Sequence, residues 1–275
     1  MPNPIIRPLT RQEMTLPLEW AAAEGWNPGL ADGDCFHAAD PQGFLVAMVE
    51  EQPVAVISAV TYQQAFAFLG FYIVKPEWRG QGYGIALWNA ALQRLSSCTI
   101  GLDGVVAQQE NYRRSGFVLA HGNQRFQGMG GGELPVGVVE VGEIPLDQLV
   151  EYDARHFTRK RTAFLQGWRN FPGKAVIRDG RLAGYGIIRP CRVGHKIGPL
   201  FADTPQVADT LFQALASTVP QATLFLDLPL PNPQAVALAH RHKMTPVFET
   251  ARMYRGTPPD LPLANIYGIT SFELG

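Results

Sequence analysis

Apolar and polar positions in the first half of the chain form strand-length runs followed by a helical segment. Residues 44–50 and 53–60 are apolar runs on either side of a polar pair, which predicts a β-hairpin. Residues 65–74 form a longer, aromatic run that predicts a third strand, and residues 85–95 carry apolar side chains at helical spacing. The remaining pattern predicts strands over 5–9, 99–107, 117–120 and 124–127, helices over 13–23 and 110–115, and a loop over 26–34.

The second half of the chain repeats the first weakly but in the same order. Three short segments recur at an offset of 127 or 128: 49–55 with 177–183, 70–74 with 198–202, and 124–126 with 251–253. An internal repeat constrains the whole fold. This one predicts two α/β domains, at residues 1–130 and 138–275, joined through a glycine-rich linker at 128–132.

The most informative segment lies between the predicted third strand and the helix that follows it. Gly80, Gly82 and Gly84 stand at alternate positions there, and Arg79 precedes them. The free N–H groups at a helix N-terminus bind phosphate, and glycines let such groups surround an oxygen without interference from a Cβ. The loop therefore predicts a diphosphate site with Arg79 as an added cation.

Two other interpretations of the glycine loop remain open. The Gly-Lys-Ser/Thr sequence of a Walker loop is absent, but a dinucleotide site is conceivable because Asp103 lies where a ribose-binding acid is found. A glycine-rich surface turn without any ligand is the second alternative.

Two motifs resemble those of the GNAT superfamily of N-acetyltransferases. Residues 74–84 are similar to its acetyl-CoA signature, R/Q-x-x-G-x-G/A after a strand, with Arg79, Gly82 and Gly84 at the defining positions. Residues 112–117 resemble the Y-x-x-x-G-F helix of the family. The resemblance covers residues 4–127, and the divergent second copy with its terminal residues 268–275 resembles bacterial tandem GNAT proteins. It implies an α/β (α+β) fold of two tandem GNAT-like domains, each a mixed, mostly antiparallel sheet flanked by helices.

The resemblance also implies an activity and a cosubstrate. The activity is an acetyl-CoA-dependent transfer of an acetyl group to a primary amine by direct attack, in residues 1–130. In the family the strand before the loop separates from its neighbour, so pantetheine would pair with the freed backbone and the Val74 N–H would face the thioester oxygen. The implied cofactor contacts are Ile73, Val74, Arg79, Gly80, Gly82, Tyr83 and Gly84.

Two proton transfers then need side chains. Tyr112 is the predicted general acid toward the departing sulfur, although it could equally pack on Phe117 as core. The strand over 63–74 carries no acidic residue, which departs from the family pattern and leaves the base open. Asp103 on the next strand is the candidate base, and its alternative role is that of a strand-end residue.

The loop near residue 26 is predicted to line the acceptor side of the site. Glu24, Trp26 and Asn27 are the candidate acceptor-binding residues, although Trp26 could instead close the preceding helix. Glu24, Asp32 and Asp34 are weaker alternatives to Asp103 as the base.

The second copy lacks the glycine loop. Asp203 and Thr204 stand in its place, and either is an ordinary helix N-cap. We therefore expect the second half to bind no coenzyme A, to cover the sheet edge of the first half and to shape the acceptor pocket.

Composition limits the partners and the compartment. Lys and Arg number 23 against 24 Asp and Glu, so the net charge of −1 provides no field for nucleic acid or anionic membrane. The three cysteines are too few and too far apart for a disulfide framework or a zinc site, and no metal is expected. With no signal segment and no apolar run of membrane-spanning length, we expect a cytoplasmic monomer or homodimer.

These features favour a small-molecule amine as the acceptor. A protein (lysine or N-terminal) acetyltransferase and a non-catalytic acyl-CoA sensor are the alternatives.

Overall fold

A computed structural model describes residues 3–275 as a single mixed sheet with helices on both faces. The strands are β1 (Ile5–Pro8), β2 (Phe44–Val49), β3 (Gln52–Tyr62), β4 (Phe66–Val74), β5 (Thr99–Val105), β6 (Val118–Met129), β7 (Val139–Glu140), β8 (Gly173–Arg178), β9 (Arg181–Pro190), β10 (His195–Ala202), β11 (Thr223–Pro229), β12 (Thr245–Arg255) and β13 (Ile266–Gly268). The α-helices are α1 (Thr15–Ala23), α2 (Asp32–Ala39), α3 (Tyr83–Arg94), α4 (Gln109–Arg114), α5 (Leu146–Phe157), α6 (Thr162–Trp168), α7 (Pro205–Ala216) and α8 (Pro233–Arg241).

The sheet confirms the predicted fold class and the internal repeat. Its strands run in the order β1-β2-β3-β4-β5-β12-β6-β11-β10-β9-β8-β7, with β13 beside β10. All pairs are antiparallel except β4–β5 and β10–β11. Each parallel pair is joined by a crossover helix, α3 in the first half and α7 in the second, as a parallel connection requires.

The final strands of the two halves are exchanged. β12 of the second half lies between β5 and β6, while β6 of the first half pairs with β11. The register places Arg252 opposite Asp103 and Arg125 opposite Asp227. Each guanidinium forms two hydrogen bonds with its carboxylate, at 2.6 and 2.7 Å for Arg252 and at 2.6 and 2.8 Å for Arg125. Two equivalent buried ion pairs therefore join the halves.

Three local predictions differ from the structure. The strands predicted over 117–120 and 124–127 are one continuous strand, β6, which also takes up the first two residues of the predicted linker. Gly128 belongs to β6 because it pairs with Leu224 of β11, and its missing side chain leaves room for Met244, whose Cγ would lie 2.8 Å from a Cβ there. Part of the loop predicted over 26–34 begins helix α2, which packs on α6 of the other half; a Cβ at Gly167 would lie 2.8 Å from the Cys35 Sγ.

A hydrophobic core extends across the interface between the two halves. Phe36 of α2 stacks on Trp168 of α6, with ring centroids 5.9 Å apart, and both side chains are fully buried. The helices α3 and α7 cover separate apolar clusters on their own parts of the sheet. Among residues 3–275, no helix combines the length and apolar character needed to cross a membrane.

Residues 269–275 form a buried tail that runs back from β13 into the first half. The Ile269 N–H donates to the Asp227 carbonyl at 2.8 Å. Farther along, the Tyr62 hydroxyl on β3 donates to the Leu274 carbonyl at 3.2 Å. The second half therefore contributes both β12 and this tail to the neighbourhood of β4 and β5.

Candidate active site

The candidate site is a cavity that opens where β4 and β5 separate. Their parallel pairing runs from Phe66–Thr99 to Leu69–Leu102 and ends there. A cavity of about 810 Å³ lies beyond that point, lined by the rest of β4, by β5 and α4, and by residues of the second half. The separation of the two strands that the family resemblance implies is thus present.

A β-bulge marks the same point on β4. The register with β3 shifts between the pairs Gly70–Ser58 and Ile73–Val56, and Phe71 adopts a left-handed φ of 47°. Bulges bend a strand and re-aim its side chains, and they are over-represented beside active sites. Here the bulge buries the Phe71 ring against Phe36, 5.9 Å away, at the point where the cavity begins.

The glycine loop leads from β4 to α3 with an open outer surface. Gly80 and Gly82 have φ values of 74° and 86°, which favour glycine, and Gly82 is the N-cap of α3. A Cβ at either position would meet no atom within 4 Å. The loop therefore leaves room on its outer side, beside the first-turn N–H groups of α3. Gly80, Gly82, Tyr83 and Gly84 are not among the residues that line the cavity.

The other two glycine-loop residues have packing roles. A Cβ at Gly84 would lie 2.8 Å from both the Tyr72 Oη and the Val74 Cγ2, so Gly84 allows α3 to pack closely on β4. The Tyr83 side chain is buried, with its ring 5.6 Å from that of Trp78. The Tyr83 side chain is therefore a packing element rather than a ligand contact.

Arg79 links the loop to the end of α1. Its Nε donates to the Val74 carbonyl at 2.9 Å, and its Nη2 contacts the Glu24 carboxylate at 2.5 Å. Both Arg79 and Glu24 line the cavity, as do Ile73 and Val74. The predicted cation is therefore beside the loop, but in this arrangement it is paired with Glu24.

Tyr112, the predicted general acid, lies in the wall of the cavity. Its ring packs between Trp88 and Phe117, at centroid distances of 5.7 and 6.5 Å, so the alternative packing role is also real. Gly104 makes room for this ring, because a Cβ there would overlap it. Burial, followed by the nearby Tyr72, raises the pKa of Tyr112 to about 12, so the phenol stays protonated at neutral pH.

Asp103 also lines the cavity, but its oxygens are engaged. Arg252 binds both of them, and the Asn123 Nδ2 donates to Oδ1 at 2.7 Å. Burial raises the pKa of Asp103, and the Arg252 charge opposes that shift. The geometry argues against Asp103 as the base and gives it a different role, which is to hold β12 beside β5.

Only some of the predicted acceptor-binding residues line the cavity. Trp26 lines the cavity, and its carbonyl accepts a hydrogen bond from the Arg125 Nη1 at 2.9 Å. Asn27 does not line it: its side-chain amide forms hydrogen bonds with the N–H and the carbonyl of Val193, at 3.1 and 3.0 Å. Asn27 was predicted to bind the acceptor, whereas in this structure its side chain fastens the loop to the second half.

The two further acids of that segment also lie elsewhere, because they belong to α2. Asp32 is buried in an ion pair with Arg189 and accepts a hydrogen bond from the Gly29 N–H at 3.0 Å. Asp34 pairs on the surface with Arg11. Neither carboxylate can act at the cavity.

The sequence predicts that the second half shapes the acceptor pocket, but it does not identify the residues of that half that line the cavity. Four such residues line it: Phe248, Thr250, Phe272 and Glu273. They come from β12 and the buried tail, and no local pattern in the sequence places those segments beside β4. The predicted helix cap of the second copy is confirmed, since the Thr204 Oγ1 accepts a hydrogen bond from the Val207 N–H at 3.3 Å.

Comparison with known proteins gives matches in both halves. A family model described as "Acetyltransferase (GNAT) family" matches residues 10–118, and one described as "Acetyltransferase (GNAT) domain" matches residues 149–268. The chain is 34% identical over 275 residues to holothin acyltransferase of Pseudoalteromonas sp. (strain SANK 73390), covering 98% of this chain and 94% of that protein.

Solved structures share the fold along the whole chain. A putative acetyltransferase from Pyrococcus horikoshii matches with a TM-score of 0.86 at 23% identity, covering 100% of this chain and 97% of that one. A tandem GNAT protein from the clavulanic acid biosynthesis pathway matches with a TM-score of 0.64 at 14% identity, over 94% of this chain and 100% of that one. The chain belongs to the GNAT superfamily and is an acyltransferase with two GNAT domains in tandem.

Proposed function

We propose that this acyltransferase uses acetyl-CoA and transfers the acetyl group to the primary amine of a small molecule. The observation that carries the proposal is a cavity that continues between the separated strands β4 and β5 and is lined by Arg79 and Ile85, on either side of the loop glycines. The residues present fit coenzyme A: Gly80 and Gly82 leave open space, the first turn of α3 offers N–H groups, and Arg79 adds a positive charge.

The side chains around the cavity suit the chemistry. Bound acetyl-CoA would supply an acyl thioester within reach of the amine. We assign the Val74 N–H as the donor to the acyl oxygen, since oriented backbone donors stabilise charge that develops there. Tyr112 holds a proton at neutral pH and is assigned as its donor to the departing sulfur.

The shape of the cavity favours a small and largely apolar acceptor. Trp26, Phe248 and Phe272 contribute aromatic walls, with β12 beside β5 and the tail beside Gly70 of β4. The 34% identical relative is named for transfer to holothin, which supports an acceptor of small-molecule size here as well.

A matched pair of glycine variants tests the cosubstrate. Acetyl-CoA should raise the melting temperature of the wild type, and Gly82→Asp should abolish the rise because a carboxylate in the loop repels the diphosphate. Gly180 also has a positive φ, 73°, and open space around its Cβ position, but it lies in the β8–β9 turn. Gly180→Asp should therefore keep the full response, and an undiminished response in Gly82→Asp would refute the proposed loop site.

A panel of acceptors tests the substrate class. Purified protein is incubated with acetyl-CoA and 2-phenylethylamine, tryptamine, aniline or a lysine-containing peptide, while free thiol and acetylated product are measured. Acetylation of small amines in preference to the peptide is the expected result. Acetylation of the peptide alone, or acetyl-CoA binding without transfer to any member, would overturn the proposed acceptor class.

A further inference from the structure

The buried tail places a carboxylate at the cavity. Glu273 is 4% exposed and lines the cavity next to Phe272. Its backbone is fixed from two sides, because its carbonyl oxygen accepts a hydrogen bond from the Ser58 Oγ at 3.4 Å and lies against the Cα of Gly70. These contacts hold the Glu273 backbone beside the bulged part of β4.

This carboxylate has no protein partner. Within residues 3–275, the Glu273 side chain forms no hydrogen bond and no ion pair. Its carboxylate oxygens are nevertheless not fully buried, so a ligand can reach them. The open space that Glu273 lines is the cavity. A buried carboxylate left unpaired is costly, so a ligand with hydrogen-bond donors would be stabilised beside it.

Buried cations lie near Glu273 without pairing with it. Arg125, Arg189 and Lys196 interact electrostatically with this residue. Within residues 3–275, the ion pairs of these three cations are with Asp227 and Asp32. The Glu273 oxygens are therefore left to accept hydrogen bonds from a donor in the cavity, such as a cationic ammonium group.

We propose that Glu273 binds the ammonium group of the acceptor and removes its proton, so that the degenerate second half completes the active site of the first. This inference rests on the proposed function. It accounts for the absence of any acid on residues 63–74, because the tail brings a carboxylate to the same strand from outside. In the step, one N–H bond of the ammonium group breaks and its proton passes to a Glu273 oxygen. The nitrogen keeps the electron pair that makes it nucleophilic, and the proton later leaves to water.

Binding of two probes of the same shape tests the contact without any turnover. The wild type and Glu273→Gln are titrated at pH 7 with 2-phenylethylamine, which is then an ammonium ion, and with 2-phenylethanol, which is neutral. Glu273→Gln should weaken binding of the amine by about 10- to 100-fold, the range for hydrogen bonds to charged groups. It should leave binding of the alcohol unchanged. Equal loss for both probes, or for neither, would overturn the proposal.

Turnover supplies a second and separate readout. Glu273→Gln should lower acetylation of 2-phenylethylamine far more than that of aniline, whose nitrogen is already neutral at pH 7. A residue that only balances Arg125, Arg189 and Lys196 would affect both acceptors alike, and that result would overturn the proposal. If Glu273→Gln does not fold, Glu273→Asp keeps the charge but withdraws the oxygens, and it should show the same selective losses.

The two proposals fail in different ways. A wild type that binds acetyl-CoA but acetylates no small amine contradicts the proposed acceptor class. A wild type that acetylates 2-phenylethylamine while Glu273→Gln does so at the same rate contradicts only the role of Glu273.

Discussion

The Cα of Gly70 on β4 lies against the backbone carbonyl of Glu273, so close that a Cβ on Gly70 would overlap that oxygen. The contact joins the bulged strand of the first half to the tail of the second. The contact is possible because position 70 has no side chain. It brings Glu273 to β4, a strand that carries no acidic residue of its own. Within residues 3–275, Glu273 is the only carboxylate that lines the cavity without a partner.

Gly70→Ala should displace the tail. The added methyl group has backbone on its far side and cannot be accommodated by a flexible side chain, so we expect a loss of about 1–3 kcal/mol in the free energy of unfolding. Gly142→Ala is the control, because a Cβ there meets nothing within 4 Å. Urea unfolding of both variants checks the prediction, and equal stability of the two would contradict it.

The exchange of β6 and β12 can be tested by reversing charges. Asp103→Arg alone should destabilise the protein by about 3–5 kcal/mol, because two buried guanidinium groups then face each other. Adding Arg252→Asp should recover part of this loss, since the two positions are opposite each other in the register.

The matched double variant, Asp103→Arg with Arg125→Asp, should recover nothing. It leaves Arg252 facing a cation and places a second carboxylate opposite Asp227. Denaturant unfolding of the three variants gives the comparison. Recovery with Arg125→Asp rather than with Arg252→Asp would mean that each half keeps its own last strand.

Tyr112→Phe should lower turnover while leaving the Kd of acetyl-CoA unchanged. The ring keeps its packing between Trp88 and Phe117, and only the proton donor is lost, for which we expect about a 10- to 100-fold fall in kcat. Tyr267→Phe, in the apolar core of the second half, is the control and should change neither quantity. Equal losses in kcat and in affinity would contradict the role of Tyr112 as an acid.

His121 should make the fold less stable in acid. Burial, reinforced by the charge of Arg252 opposite it on β12, lowers the pKa of His121 to about 4 from the ordinary 6.5. As the pH falls from about 6.5 to 4, the unfolded chain takes up a proton that the folded chain refuses, so stability decreases across this window.

His121→Gln should make this decrease in the free energy of unfolding smaller. Above pH 7 the substitution should not change how stability depends on pH. The free energies of unfolding of wild type and variant at pH 7.5, 6 and 5 provide the measurement. Parallel curves for the two proteins would show that this histidine is not responsible.

Elements marked by local chemistry could be predicted from the sequence. The glycine loop, the hairpin, the amphipathic helix α3 and the Thr204 cap each depend on residues close together in the chain. The repeat was also visible, because both halves preserve the order of their elements. The loop over 26–34 was misjudged because α2 has weak amphipathicity, and its helical form depends on packing against α6.

The sequence by itself determined two copies of an α/β unit and a loop suited to phosphate in the first of them. Only the tertiary structure decided which half each last strand completes. Arg125 on β6 and Arg252 on β12 occupy equivalent positions, as do Asp103 on β5 and Asp227 on β11. Each of the last strands β6 and β12 could therefore form the same ion pair with β5 or with β11. Interactions between residues close together in the chain therefore do not favour one of these arrangements over the other. The packing of the tail against Gly70 likewise joins residues about 200 positions apart, and no local pattern encodes a contact over that distance.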